Sequence, residues 1–162
     1  MNRTIIKLFF YLCILTALPS YAQNAVHYYF KTMDIRNGLS QNTVYQILQD
    51  RKGFMWFGTK DGLNRYDGLS YRVYKKENSG LGKNFITALY EDHEGNIWIG
   101  TDGGVFIYNP VLDSFTAFNQ TSDKGTVIKD FVTMIGSDEY DNIWISVENQ
   151  GLFCYNHEKR LR

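Results

Sequence analysis

Two cysteines, two prolines, no basic run and one long apolar stretch are all that this sequence offers of features that often decide a class. Each scarcity excludes something. Cys13 falls inside the apolar stretch, so Cys154 stands alone beyond it and no internal disulfide can form there. A lone cysteine of this kind is expected to be a small buried hydrophobe. Without clustered Lys and Arg there is no electrostatic footprint for nucleic acid, which is excluded as a partner. Lys and Arg balance Asp and Glu at 17 each.

The apolar stretch is the first segment, MNRTIIKLFFYLCILTALPSYAQ. Arg3 and Lys7 precede a run from Leu8 to Leu18, and Ser20-Tyr21-Ala22 supplies small residues where a signal peptidase reads. Spanning a bilayer takes about 20 apolar residues, more than this run holds. Residues 1–22 are therefore expected to be a secretory signal cleaved after Ala22, with 23–162 the exported domain. Setting aside Arg3 and Lys7 leaves 15 basic against 17 acidic residues, a mildly acidic product.

What is abundant is glycine and aromatics: 14 Gly, 12 Tyr and 11 Phe. That mixture suits short strands joined by tight turns. Its organisation is a repeat. KGFMWFGTKDGLNRYDG returns as EGNIWIGTDGGVFIYNP, and Trp56, Trp98 and Trp144 put three copies in register. Six residues before each Trp stands Asp50, Asp92 or Asp138. Nine before stands Ile47, Leu89 or Ile135, and twelve before stands Val44, Ile86 or Val132. Tyr66, Tyr108 and Tyr155 follow at ten or eleven. A period of about 40–50 residues belongs to propeller blades or to helical-pair repeats.

Local pattern decides between them. TVYQILQ, FITALYE and FVTMIGS are short β-rich runs, and FMWFGT, NIWIGT and NIWISV are shorter still. GLNRY, GVFIY and GLFCY alternate, and LSYRVY and DSFTAF close the first two units. Helices of ten residues have no room. The expectation is an all-β chain of about three four-stranded antiparallel β-propeller blades in an incomplete ring, at 39–80, 81–126 and 127–162. Gly53 and Gly95 supply the positive φ of the first turn. In the third copy Asp141 replaces that glycine, and Asn142 is expected to take the left-handed conformation. The three tryptophans are expected to fill the space between blades, and the three aspartates to be turn residues.

These stretches carry a resemblance. Residues 37–68, NGLSQNTVYQILQDRKGFMWFGTKDGLNRYDG, closely resemble the two-component regulator propeller repeat; 81–110 are a second good copy and 127–156 a weaker third. That repeat builds the periplasmic sensor region of Bacteroides-type hybrid two-component histidine kinases. The resemblance implies an N-terminal fragment of a sensor whose full-length parent sits in the inner membrane, pairs as a homodimer and senses oligosaccharides. It implies that 28–36 is an outer strand closing the last blade of a full ring, and that the remaining blades of the parent are partners.

Candidate chemistry is sparse. No kinase, receiver or helix-turn-helix signature is present, and no catalytic set or cofactor motif assembles. His27, His93 and His157 show no metal-ligand spacing and are expected at the surface. The chain is therefore expected to be a non-enzymatic binding module without metal or cofactor. A fragment of a secreted propeller enzyme acting on polysaccharide is the alternative, and a structural module pairing through open sheet edges is a third reading. In a propeller, the loops entering the inner strands share a face with those joining strands two and three. That face would gather Asn42, Thr43, Asn84, Phe85, Asp130 and Phe131, with Lys60, Asp61, Asp102, Glu148 and Asn149. Amides, acids and aromatics suit a hydroxyl-rich ligand.

Overall fold

The computed structural model describes residues 28–119 and 127–156, together with Arg3, Thr4 and Lys7. The expected signal segment lies almost wholly outside the described residues, as do His27 and His157. The chain divides into two compact units, Met1–Thr32 and Met33–Arg162. In the first, residues 28–32 carry no strand, and the Tyr28, Tyr29 and Phe30 side chains are exposed.

The second unit is built of antiparallel sheets. After a 3-10 turn at Ile35–Asn37 come β1 (Val44–Gln49), β2 (Met55–Thr59), β3 (Gly62–Tyr66) and β4 (Tyr71–Tyr74). A single helical turn, α1 (Lys76–Ser79), leads to β5 (Ile86–Glu91), β6 (Ile97–Thr101), β7 (Gly104–Asn109) and β8 (Ser114–Ala117). The last strands are β9 (Val132–Ser137), β10 (Ile143–Val147) and β11 (Gly151–Tyr155). Each group forms its own sheet in chain order: β1 to β4, β5 to β8, and β9 to β11. These are propeller-type blades. The third has three strands among the described residues.

The register repeats with the sequence. Trp56 pairs with Leu48 and Arg65, Trp98 with Tyr90 and Ile107, and Trp144 with Gly136 and Cys154. Every innermost strand is interrupted at one position, Tyr45, Thr87 or Thr133, where the register slips by a residue. Such a bulge bends the strand and re-aims the side chain it carries.

Successive sheets pack face to face. Between the first two lie Trp56, Leu63 and Tyr74 against Ile86, Leu89, Ile97, Ile99 and Tyr108. Between the second and third lie Trp98, Val105 and Phe118 against Val132, Ile135, Ile143 and Ile145. The residues in register before each Trp thus receive the Trp of the preceding sheet. Trp56 and Trp98 are 1% and 4% exposed, while Trp144 is 38% exposed. No sheet packs against the Trp144 side of the third blade among the described residues.

Close approach of sheets has a local cause. A Cβ on Gly58 would sit 2.7 Å from Ile86 Cγ2, and one on Gly100 would sit 2.7 Å from Val132 Cγ1. The β-branched residue of one blade therefore seats on a glycine of the blade before it. In the third blade this position is Ser146.

Two expectations are corrected. Cys154 is exposed rather than buried: it lies on β11, opposite Trp144, on the side of the third sheet that no other sheet covers among the described residues. In the third first-turn, Asp141 itself takes the left-handed conformation, at φ 59°, with no such φ at Asn142. The reason is that Asp138 accepts the Asn142 N–H at 3.0 Å, just as Asp50 accepts that of Phe54 and Asp92 that of Asn96. The turn geometry is fixed by that bond, so whatever stands at the glycine position must adopt the glycine conformation. Asp is among the few residues that tolerate it.

Candidate functional site

The sheets bring two sets of loops together at one end. The turn from β2 to β3 bonds the loop entering β5, Gly62 N donating to Asn84 O at 2.7 Å. Asp102 N donates to Phe85 O at 3.3 Å, and Glu148 N to Phe131 O at 2.8 Å. The shared face expected from the repeat is therefore the geometry observed, because each inner strand begins where the β2–β3-type turn ends.

Most of the polar side chains there serve the loops. Asn42 Oδ1 accepts the Ile35 N–H at 3.0 Å. Thr43 N donates to Gln41 Oε1. Asn84 Oδ1 accepts the Lys76 N–H at 2.8 Å, capping the approach to α1, and its amide reaches Glu77. Asp61 pairs with Lys75 at 2.6 Å. Asp130 accepts the Phe131 N–H at 2.8 Å. Asn149 occupies a left-handed turn position at φ 59°. Lys60, Asp102, Glu148 and Asn149 are exposed. The third turn, one residue longer, is tied down instead by Gln150, which accepts from Lys129 N and donates to Val127 O.

The aromatics form a row. Phe85 lies 5.6 Å from Phe131, edge to face, and 4.8 Å from Tyr45 on its other side. Tyr45 is 47% exposed. The sequence reading missed Tyr45, although the signal existed: it stands in register with Thr87 and Thr133, an aromatic where the repeat has threonine. It missed Thr87 as well. Its hydroxyl is buried at the β5 bulge and has no hydrogen-bond partner among the described residues. A buried hydroxyl left without a partner is costly, and the Tyr71 hydroxyl on β4 is another such group. Residues that sit on bulged inner strands, beside loops of amides and acids, can stack on a sugar ring and exchange hydrogen bonds with its hydroxyls.

The three first-turn aspartates are not part of this face. Asp50, Asp92 and Asp138 each accept an indole N–H, from Trp56, Trp98 and Trp144, at 2.7, 2.8 and 2.9 Å. They also each accept two backbone N–H groups of their own turn. They shape turns and, beyond what the sequence suggested, orient the tryptophans. His93 is exposed. Among the described residues no cluster of His, Cys, Asp or Glu could hold a metal ion, and no helix is long and apolar enough to cross a membrane.

Comparison with known proteins follows the geometry. The two component regulator propeller model matches residues 38–61 and 80–103. The extracellular domain of a putative hybrid two component system from B. thetaiotaomicron is 29% identical with a TM-score of 0.70, over 80% of this chain and 19% of that one. The extracellular domain of a putative one component system from the same organism is 29% identical with a TM-score of 0.68, over 78% of this chain and 18% of that one. Histidine kinase P4 of Formosa agariphila is 42% identical over 59 residues, 36% of this chain and 4% of the kinase. The chain thus spans less than a fifth of the length of each of these relatives.

Proposed function

Because this chain carries two-component regulator propeller repeats, we propose that it is part of the ligand-sensing periplasmic propeller of a hybrid two-component sensor histidine kinase, and that its ligand is an oligosaccharide. The observation that carries the sensor reading is the likeness of 80% of this chain, at 29% identity, to the extracellular domain of a putative hybrid two component system. The glycan reading is supported by the aromatic row Tyr45, Phe85 and Phe131 set among amides and acids.

In this reading 1–22 direct export and are removed after Ala22. The blades occupy 39–80, 81–126 and 127–162, and 28–36 belong to the outer edge of a ring completed by further blades. The uncovered side of the third sheet, with Trp144 and Leu152 exposed, would meet the next of them. The full-length parent is an inner-membrane homodimer. Ligand on the loop face acts by binding one arrangement of the paired sensors better than another, since only a difference in affinity can shift such an equilibrium. Chemistry belongs to the kinase, and this portion binds without a cofactor.

The test is retention on an oligosaccharide array by the purified chain, followed by titration calorimetry on any glycan retained. Saturable binding that Phe85→Ala weakens at least tenfold is expected. Retention of no oligosaccharide, or binding indifferent to Phe85→Ala, would count against a glycan-sensing loop face.

A further inference from the structure

Each sheet hands the chain on to the next from its outermost strand: β4 leads through α1 to β5, and β8 leads on to β9. The same order gives residues 28–33, which lead to β1, the place of an outer strand on a sheet standing before the first. The third sheet is the one that lacks an outer strand among the described residues.

Spacing and chemistry fit that edge. Phe30 stands fourteen residues before Val44, as Phe118 stands fourteen before Val132. The Phe118 N–H donates to Val105 O at 2.8 Å, and its ring lies 5.1 Å from that of Trp98. Tyr74 likewise pairs with Leu63 and stacks on Trp56 at 6.0 Å. On the third sheet Leu152 and Trp144 hold the positions of Val105 and Trp98, and they are 64% and 38% exposed. Phe30 is 94% exposed, and residues 28–33 form no hydrogen bond among the described residues. An extended apolar segment without main-chain partners is suited to adding a strand to an open sheet edge.

The first sheet carries the matching face. Ile86, Leu89, Ile97 and Ile99 receive Trp56, and Val132, Ile135, Ile143 and Ile145 receive Trp98. In register with them on the first sheet stand Val44, Ile47, Met55 and Phe57, all apolar, with Ile47 60% exposed. Charge agrees as well. Ion pairs tie the first two blades, Arg51 to Glu91 at 3.3 Å and Arg72 to Asp113 at 2.6 Å. Lys75, next to Tyr74, pairs with Asp61 of the β2–β3 turn at 2.6 Å. Lys31, next to Phe30, is exposed, as is Glu148 of the β10–β11 turn.

We infer that the third sheet takes residues 28–33 and the first sheet of a second copy, head to tail, through the junction that joins successive blades within the chain. In that pair the Phe30 N–H donates to Leu152 O, the Phe30 ring covers Trp144, Tyr28 stands opposite Cys154 and Lys31 reaches Glu148. A heterologous interface of this kind makes a closed ring when its rotation allows. Propeller rings hold about 4–8 blades, so two copies close within that range and three exceed it. Ser146, where the first two blades have Gly58 and Gly100, puts a Cβ in the seat that Val44 needs. The junction is therefore looser than the internal ones: the dilute chain stands alone, and the pair forms as concentration rises. The pairing rests on the reading of 28–36 as an outer strand and not on the glycan.

Sedimentation velocity of the full chain over a dilution series tests this. A monomer that gives way to a two-copy species with rising concentration is expected. Phe30→Asp and Trp144→Lys should each raise the dissociation constant at least tenfold. An equimolar mixture of the two variants should pair again, because one junction between them is unaltered and the other brings introduced charges of opposite sign together. Loss of pairing with Trp144→Lys but not with Phe30→Asp would mean that two third sheets meet face to face, and overturns the head-to-tail order. A monomer at every concentration overturns the pairing, as does mass that grows past two copies. If Trp144→Lys does not fold, maleimide labelling of Cys154 decides: it should slow at least tenfold with concentration in the unaltered chain and not in Phe30→Asp, and equal rates in the two overturn the pairing. A monomer that retains oligosaccharide in a Phe85-dependent way overturns the pairing and spares the glycan reading, and a pair that retains none does the reverse.

Discussion

Asp50 Oδ2 lies 2.7 Å from the indole nitrogen of Trp56, six residues along the chain, and both residues are buried. The bond joins the two halves of a blade's design. The aspartate closes the β1–β2 turn through the Lys52 and Phe54 N–H groups, and the indole it orients fills the space before the next sheet. Removing the carboxylate strands a buried indole N–H as well as opening the turn. Asp50→Ala is expected to cost about 1–3 kcal/mol, the range for an orphaned buried polar group. Urea unfolding followed by tryptophan fluorescence measures it. The same change at Asp138 should cost less, because Trp144 is 38% exposed and water can replace the carboxylate.

Glycine at Gly100 has a different reason to be there. Its missing Cβ makes room for Val132, which would otherwise sit 2.7 Å away, and for Ala88 at 2.9 Å. Both neighbours are buried and belong to packed strands, so neither can yield freely. Gly100→Ala should destabilise by about 1–3 kcal/mol through overpacking. Ser146, the counterpart on β10, carries a Cβ with no neighbour sheet over it among the described residues. A Gly100→Ala variant with an unchanged urea midpoint would show that blade contact is not what selects the glycine.

How much of this could be read without coordinates follows from where information lies along the chain. The blade is local and repeated, so Trp, Asp, the β-branched residue and the turn glycine each appear at fixed offsets. Periodicity alone then gives four strands and their order. The indole–carboxylate bond was within reach, since its six-residue offset recurs three times, but offset does not reveal that the side chains turn toward each other. The Arg72–Asp113 pair was beyond reach. Its members lie 41 residues apart on adjoining blades, and it does not repeat: Thr116 on β8 stands where Arg72 stands on β4. Tyr45 escaped for a similar reason, as a departure from the repeat rather than an instance of it.

Acid should act on the third blade's first turn in a defined window. The Asn142 side chain, and next the Trp144 indole, hold the Asp138 carboxyl down to about 2. A group whose folded-state pKa is depressed contributes stability that is complete above its unfolded value, about 3.9, and that disappears as pH falls through the folded value. The turn should therefore persist on acidification from neutrality through pH of about 4 and loosen as pH nears about 2. The indole N–H resonance of Trp144, followed by NMR, is expected to titrate with a midpoint near the lower figure. A midpoint near 4 would mean that Asp138 gains nothing from its donors.

Exposure on the uncovered side of the third sheet is directly measurable at Cys154. This thiol pairs across the strands with Trp144, and its neighbour Leu152 is 64% exposed. In the first two blades the corresponding positions belong to Arg65 and Ile107, partly covered beside packed sheets. A maleimide added to the folded chain should therefore label the peptide bearing Cys154 at close to the rate seen after unfolding in urea, with mass spectrometry locating the adduct. Reaction only upon unfolding would mean that this side is covered in solution. Adding a sheet to it, as further blades of a longer chain would, should slow labelling and bury Trp144 together with the thiol, because both side chains stand on the same face of the sheet. Slower labelling without a matching loss of acrylamide quenching at Trp144 would place the cover at the β11 edge rather than over the face.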